Sequence, residues 1–160
     1  KDDLLTQTIA PISEELFGTD ELKKVANDLL NSLTPMKAIG LAANQCNLPY
    51  RMFVMRTQGR DFVCCNPELL EASHDTQIEQ EGCMSFPLLF ISIRRNKNIK
   101  VRYRDVLGNV HEEELMGRAA VCFQHEFDHL NGVVFTERAG KFALELAMKK
   151  REKMRRNAQP

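Results

Sequence analysis

Apolar positions along the chain fall into three kinds of spacing. Leu22, Val25, Leu29 and Leu33 recur at helical intervals, with Lys23, Lys24, Asp28 and Asn31 mostly on the other side, which predicts an amphipathic helix covering a sheet. Thr19 or Asp20 can cap its start, and it is expected to end near Thr34-Pro35. Two continuous runs, Met52-Phe53-Val54-Met55 and Phe62-Val63-Cys64-Cys65, have strand length and flank Thr57-Gln58-Gly59-Arg60-Asp61, predicting a hairpin. Asn66-Pro67 interrupts the second run, and residues 77–80 supply another short strand. In the third kind, Ile99, Val101 and Tyr103 alternate with Lys100, Arg102 and Arg104, so residues 98–104 read as a strand with one buried face. Leu107-Gly108-Asn109 turns it into an antiparallel partner over residues 110–116, on which His111 is expected to face solvent. A second helix is predicted from about Gly117 to Asn131, stopped by Gly132 as a left-handed cap. Its Ala120, Phe123, Phe127 and Leu130 form an apolar face, while His125 and His129 share a face with Val121 and Cys122. From Gly140, Phe142, Leu146 and Ala143 or Ala147 recur at helical spacing in a third helix. Residues 1–18, with Leu4, Leu5, Ile9 and Ile12, read as an irregular arm laid on the body. The sum is an α+β fold: antiparallel strands packed around a central helix, with an N-terminal and a C-terminal helix.

At 160 residues and 43% apolar content, the chain suits one domain, residues 1–160, with a sizeable core. Twenty-two basic and 22 acidic residues cancel, so overall charge gives no reason to infer nucleic-acid or acidic-substrate binding. The basic charge is local: Lys149, Lys150, Arg151, Lys153, Arg155 and Arg156 crowd the end of a helix over residues 140–157, where cations suit the helix dipole. Five cysteines, an odd number without the spacing of a disulfide framework, point to a reducing compartment. With no apolar run of about 18 residues and no basic segment leading into an apolar one, the chain is expected neither to span nor to cross a membrane.

The chemistry concentrates in Gln124-His125-Glu126-Phe127-Asp128-His129-Leu130. Two histidines four apart on a helix project from one face about 5–6 Å apart, close enough to share a metal, and the intervening glutamate is placed as a general base toward water. A catalytic site of this kind needs a third protein donor and an open position. The continuation His-x-x-Gly-x-x-His is excluded, because Gly132 falls in register but Phe135 stands at the last histidine's place. The remaining donors are Glu145 on the last helix and Cys83 in the Glu81-Gly82-Cys83-Met84-Ser85-Phe86-Pro87 stretch, which reads as a formed loop. Upstream, Ala38-Ile39-Gly40-Leu41-Ala42-Ala43-Asn44-Gln45 joins small residues, which let a ligand approach the backbone, to an amide able to donate to an oxyanion.

Taken in order, the three stretches Ala38–Gln45, Glu81–Ser85 and Gln124–Leu130 resemble the three motifs of the peptide deformylases, over roughly residues 20 to 135. The resemblance implies metal ligation by Cys83, His125 and His129, with Glu126 as general base and acid. It implies oxyanion stabilisation by the Gln45 side chain and the Met84 backbone N–H, and binding of the substrate backbone by Ile39 and Gly40 as if a strand were added. Val121 and Cys122, with His125 and Ile39, are expected to form the pocket for the methionine side chain. The implied activity is removal of the formyl group from N-formylmethionyl peptides during protein biosynthesis. The implied cofactor is one divalent ion, Fe(II) foremost, with Zn(II), Ni(II) or Co(II) able to take its place. The chain departs from the family pattern at Ala38, Met84 and Phe86, and at Lys37 and Phe90, which stand where bacterial members often carry an acid and an arginine flanking the peptide. The basic tail resembles helices that dock on the ribosome, and the protein is expected to be a cytoplasmic monomer, an organellar or viral origin being compatible with the same residues.

Two other readings use the same residues. A generic His-Glu-x-x-His metallopeptidase would recruit Glu145 as its third ligand. A non-catalytic module would close a four-donor site with Cys122 beside Cys83, His125 and His129.

Overall fold

The computed structural model describes residues 3–158. A five-stranded antiparallel sheet runs in the order β1-β2-β3-β6-β7, formed by Gly40–Ala42, Met52–Thr57, Arg60–Ala72, Asn98–Arg104 and Val110–Met116. A separate hairpin pairs β4, Thr76–Cys83, with β5, Phe86–Asn96. Three α-helices complete the fold: α1 (Asp20–Met36), α2 (Gly117–Leu130) and α3 (Lys141–Asn157).

The continuous run Met52-Phe53-Val54-Met55 is explained by burial on both faces. Met52 and Val54 pack with Leu22, Ala26, Leu29 and Leu33 of α1, and Phe53 and Met55 pack with Ala119, Ala120, Cys122 and Phe123 of α2. On its other side α2 meets the hairpin, and hydrogen bonds fix the docking. The Gln124 amide accepts from the Asn96 N–H at 3.1 Å and donates to the Asn96 carbonyl at 3.0 Å, pairing with β5 much as a strand would. Gln77 of β4 donates to the Gly117 carbonyl at 3.1 Å. The hairpin's Leu89, Ile91 and Ile93 rest on Phe135, Ala143, Leu144 and Ala147. The N-terminal arm buries Ile9 and Ile12, and Arg51 ties it to the end of α2 by donating to the Ile9 and Leu130 carbonyls and to Asn131 Oδ1 at 3.2, 3.0 and 2.9 Å.

The first helix ends near Thr34-Pro35 as expected: Pro35 lies in its last turn, and Lys37, at φ 52°, closes it. A proline so near the terminus forfeits only one helical hydrogen bond. Several other expectations need correction. Asn66-Pro67 bends the strand without ending it. Asn66 adopts φ 48° at a register shift between Cys65 and Glu68, and its amide holds both the N–H and the carbonyl of Ile12, at 2.8 and 3.1 Å. The expected loop over residues 81–87 is the end of a hairpin, turned at Met84-Ser85. His111 is half-buried, stacked on Tyr103 at 5.3 Å and bonded to Asp105 at 2.9 Å. Phe127 is only partly buried. On α3 the packed residues are Ala143, Leu144 and Ala147, while Phe142 stays 78% exposed and Leu146 45%. Small side chains let the helix lie close to β5, which turns the larger ones outward. Among the described residues no helix is long and apolar enough to cross a membrane.

Phe53 and Phe123 meet edge to face, 5.1 Å between centroids, both without solvent exposure. Phe123→Ala is expected to lower the free energy of unfolding by about 3–5 kcal/mol, read from urea titration; a loss below about 1 kcal/mol would mean that α2 does not depend on this contact.

Candidate metal centre

Helical spacing brings the His125 and His129 rings to 4.9 Å between centroids, with their Nε2 atoms 3.2 Å apart. The last residue of β4 completes the group: Cys83 Sγ lies 3.3 Å from His129 Nε2, and the three donor atoms all fall within 4.8 Å of one another. Neither alternative donor belongs to this cluster. Glu145 is on the exposed side of α3, and the Cys122 thiol donates to the Ile39 carbonyl at 3.7 Å.

The surroundings orient each member. Glu81, two residues before Cys83 on the same side of β4, accepts from His125 Nδ1 at 2.7 Å. In the neutral, metal-binding form of the ring, that bond places the proton on Nδ1 and leaves the Nε2 lone pair facing the cluster. Arg95 donates a two-pronged pair to Glu81 at 2.9 and 3.1 Å and a third bond to Asp128 at 2.6 Å. Arg138 donates to the same Asp128 carboxylate at 3.0 and 2.7 Å. Asn44 donates to the His129 carbonyl at 2.7 Å, whereas His129 Nδ1 is buried without a protein partner. Gln45 is fixed by the Ala42 N–H, which donates to its Oε1 at 2.9 Å, so that Nε2 faces Cys83 Sγ at 3.5 Å and Ser85 Oγ at 3.1 Å.

The donor set fits a divalent metal. Burial alone would push the His125 imidazole down, but the Cys83 sulfur and the Glu81 carboxylate outweigh it and raise it to about 10. His129 is driven down to about 3, by burial and then by the charge on His125. The cluster therefore favours one positive charge and rejects two from protons, and a single cation between two facing imine nitrogens and a thiolate satisfies all three donors. A soft sulfur with two imidazoles suits zinc or iron. Glu81 stays ionised: burial raises it, but His125 and Arg95 hold it below the usual carboxylate range.

Glu126 is buried with Oε2 unpartnered, and burial pushes it up to about 7, where a carboxylate can both take and return a proton at neutral pH. Gly40 makes room for it: a Cβ there would stand 2.5 Å from Glu126 Oε1 and 2.8 Å from Cys122 Sγ. The cluster opens on a cleft of about 560 Å³ whose lining includes Gln45, Cys83, Met84, His125 and Glu126, together with Ile39, Gly40, Val121 and Cys122. Of the site residues that the family resemblance implies, His129 alone is absent from this lining. Lys37, Phe90 and Arg118 also face the cleft.

Sequence alone gives no role to Glu81, Arg95, Asp128, Asn44 or Arg138. One signal is present: Arg95 continues the inward alternation of Leu89, Ile91 and Ile93, and a charge on a buried stripe requires a buried partner.

A family model described as polypeptide deformylase matches residues 1–144. A peptide deformylase of Thermotoga neapolitana is 45% identical over 132 residues, covering 82% of this chain and 80% of the relative. The crystal structure of peptide deformylase from Thermotoga maritima superposes with a TM-score of 0.82 at 40% identity, over 87% of this chain and 92% of that one. A Met-Ala-Ser-bound class I type b peptide deformylase from Acinetobacter baumannii gives a TM-score of 0.82 at 30% identity, over 86% and 92%.

The space at Gly40 can be tested through stability. Gly40→Ala is expected to cost about 1–3 kcal/mol by overpacking, a fall in Tm of about 2–12 °C; an unchanged Tm by calorimetry would show that Glu126 and Cys122 yield freely.

Proposed function

The chain belongs to the polypeptide deformylase family, and on that premise we propose that Cys83, His125 and His129 hold one divalent metal ion while Glu126 moves the proton. The activity is removal of the N-formyl group from formylmethionyl nascent peptides. The observation that carries the residue assignment is the convergence of three donor atoms within 4.8 Å at the wall of a cleft, beside a buried carboxylate.

The bound ion supplies Lewis-acid polarisation and makes water acidic enough to react near neutral pH. The protein's own groups do the rest. Glu126 takes a proton from the attacking water and delivers it to the departing nitrogen as the formyl C–N bond breaks, giving formate and a free amino terminus. The Gln45 Nε2 donor, already oriented by the Ala42 N–H, and the Met84 backbone N–H stabilise the negative oxygen of the tetrahedral stage. Among the described residues β1 pairs with β2 and lies at the end of the sheet. The edge beginning at Ile39 and Gly40, where the Ile39 carbonyl already accepts from the Arg56 N–H at 2.7 Å, is the place proposed for an extended peptide to add as a strand. The buried wall of Val121 and Cys122 receives the methionine side chain. The Met-Ala-Ser peptide in the Acinetobacter baumannii relative supports a peptide of this kind in the cleft.

Fe(II) is the proposed ion, with Zn(II), Ni(II) or Co(II) as substitutes, because a thiolate with two imidazoles accommodates each of them. The reading takes residues 1–160 as one catalytic domain working as a cytoplasmic monomer. It also assigns the basic end of α3, where Lys149, Lys150, Lys153, Arg155 and Arg156 are exposed, to contact with ribosomal phosphates.

Two variants test the assignment. Glu126→Ala is expected to keep its metal and lose hydrolysis of a formyl-Met peptide by on the order of 10²–10⁴; undiminished turnover would remove Glu126 from the mechanism. Cys83→Ser is expected to weaken metal retention by at least the roughly 10–100-fold that losing an outer partner costs. Full metal content by elemental analysis would exclude Cys83 as a ligand.

A further inference from the structure

Behind the metal cluster, charged groups alternate from the surface to a ligand: Arg138, Asp128, Arg95, Glu81, His125. Their bonds run from 2.6 to 3.1 Å. Glu81, Arg95 and Asp128 are buried, whereas the Arg138 side chain is 49% exposed. The members come from four elements: β4 gives Glu81, β5 gives Arg95, α2 gives both Asp128 and His125, and the turn Phe135–Arg138 gives the outer arginine.

The path closes on itself. From His125 it leaves α2 for Glu81, crosses to Arg95, and returns to α2 at Asp128, one helical turn from where it began. The two arginines and two carboxylates of the chain carry no net charge between them, one of the cations standing half-exposed at its outer end. Buried ion pairs of this kind add little to stability against an apolar equivalent, but the forked geometry of arginine fixes the carboxylates it grips in plane and direction. Glu81 in turn fixes the plane of the His125 ring. Asp128 is gripped from both sides, so loosening Arg138 frees one end of the ring.

We propose that the Arg138–Asp128–Arg95–Glu81 chain is a positioning relay for the His125 imidazole, through which a half-exposed arginine outside the cleft sets how firmly the centre keeps its metal. The inference rests on the metal reading given under Proposed function. It assigns Arg138 no contact with substrate; the side chain acts through geometry, by its two-pronged grip on Asp128.

The test uses the full chain loaded with Co(II), with Arg138→Lys, Arg138→Gln, Glu81→Gln and, as a control outside the network, Arg56→Gln. Two quantities are read: the rate of cobalt transfer to a chelator and the visible absorption of the bound ion, which reports ligand orientation. Glu81→Gln should speed release about 10–100-fold, as expected for a ligand's direct partner. Arg138→Lys and Arg138→Gln should both speed it by a smaller factor, about 3–10-fold, and shift the cobalt bands, while Arg56→Gln matches the parent. If both Arg138 variants match the parent in rate and spectrum, the relay is wrong. If only Arg138→Gln differs, charge alone is at work and the geometric relay is also wrong. If the parent chain takes up no cobalt, the metal reading itself fails, which is a separate outcome.

Discussion

The structure depends on burying a polar helix. Gln124, His125, Glu126, Asp128 and His129 of α2 are all buried, although groups of this kind cost several kcal/mol each when removed from water without partners. An amphipathic helix would turn them toward solvent, but α2 has sheet on one side and hairpin on the other. The β4–β5 hairpin supplies what the helix lacks: the Asn96 backbone for Gln124, Glu81 for His125, Arg95 for Asp128 and the Cys83 sulfur beside His129. Glu126 Oε2 and His129 Nδ1 are left without such partners, and of these two residues Glu126 is the one that faces the cleft.

Strand geometry makes this arrangement possible. Residues two apart on a strand project from the same face, so Glu81 and Cys83 reach α2 together; a slip of one residue would turn both away. The pairing is regular from Thr76↔Asn96 through Gly82↔Phe90, then shifts so that Cys83 lies opposite Phe86. Pro87, Leu88 and Leu89 are thereby bypassed, and the strand end bearing the sulfur is released toward the histidines. Leu88, within that bypassed stretch, adopts φ 64°, a conformation that costs a branched residue roughly 1–2 kcal/mol and that the flanking strand pairing imposes.

What could be read from the sequence divides along the same line. The helices, most strands of the larger sheet and the His125, His129 pair were legible, because period and motif spacing are local properties. β1 read only as a run of small residues, and Cys83 was singled out from Glu145 by the family resemblance, not by spacing. The partners of the histidines were not legible, because a buried ion network is defined by contacts between distant segments: Glu81 and Arg95 are 14 residues apart, Arg95 and Asp128 33. The alternation of Leu89, Ile91 and Ile93 points Arg95 inward, but which carboxylates meet its charge is decided only by the placement of β5 against α2. Asn66-Pro67 misled for a related reason, since its bulge is held by Ile12 of the N-terminal arm. Of the α3 residues at helical spacing, close approach to β5 selects Ala143 and Ala147, while Phe142 and Leu146 stay exposed.

The cleft rim extends the argument from structure to selectivity. Ile39, Met84, Leu88 and Phe90 are large apolar side chains 41–50% exposed, and all four line one cleft, which is how a folded surface marks a place of contact. The Phe90 ring lies over Gly82, where a Cβ would come within 2.8 Å of it, so the β4 side of the cleft is covered by an aromatic face with no charged side chain at that position. On the proposed reading the two ends of the cleft then discriminate differently. Beside the metal cluster, a buried wall and fixed donors select the formyl group and the first side chain. Farther out, a strand edge reads only the peptide backbone and an apolar rim offers contact to many side chains. An enzyme that must process the starts of many different proteins needs that division: strict recognition of the formylmethionyl end that all of them share, and weak recognition of the residues downstream of it.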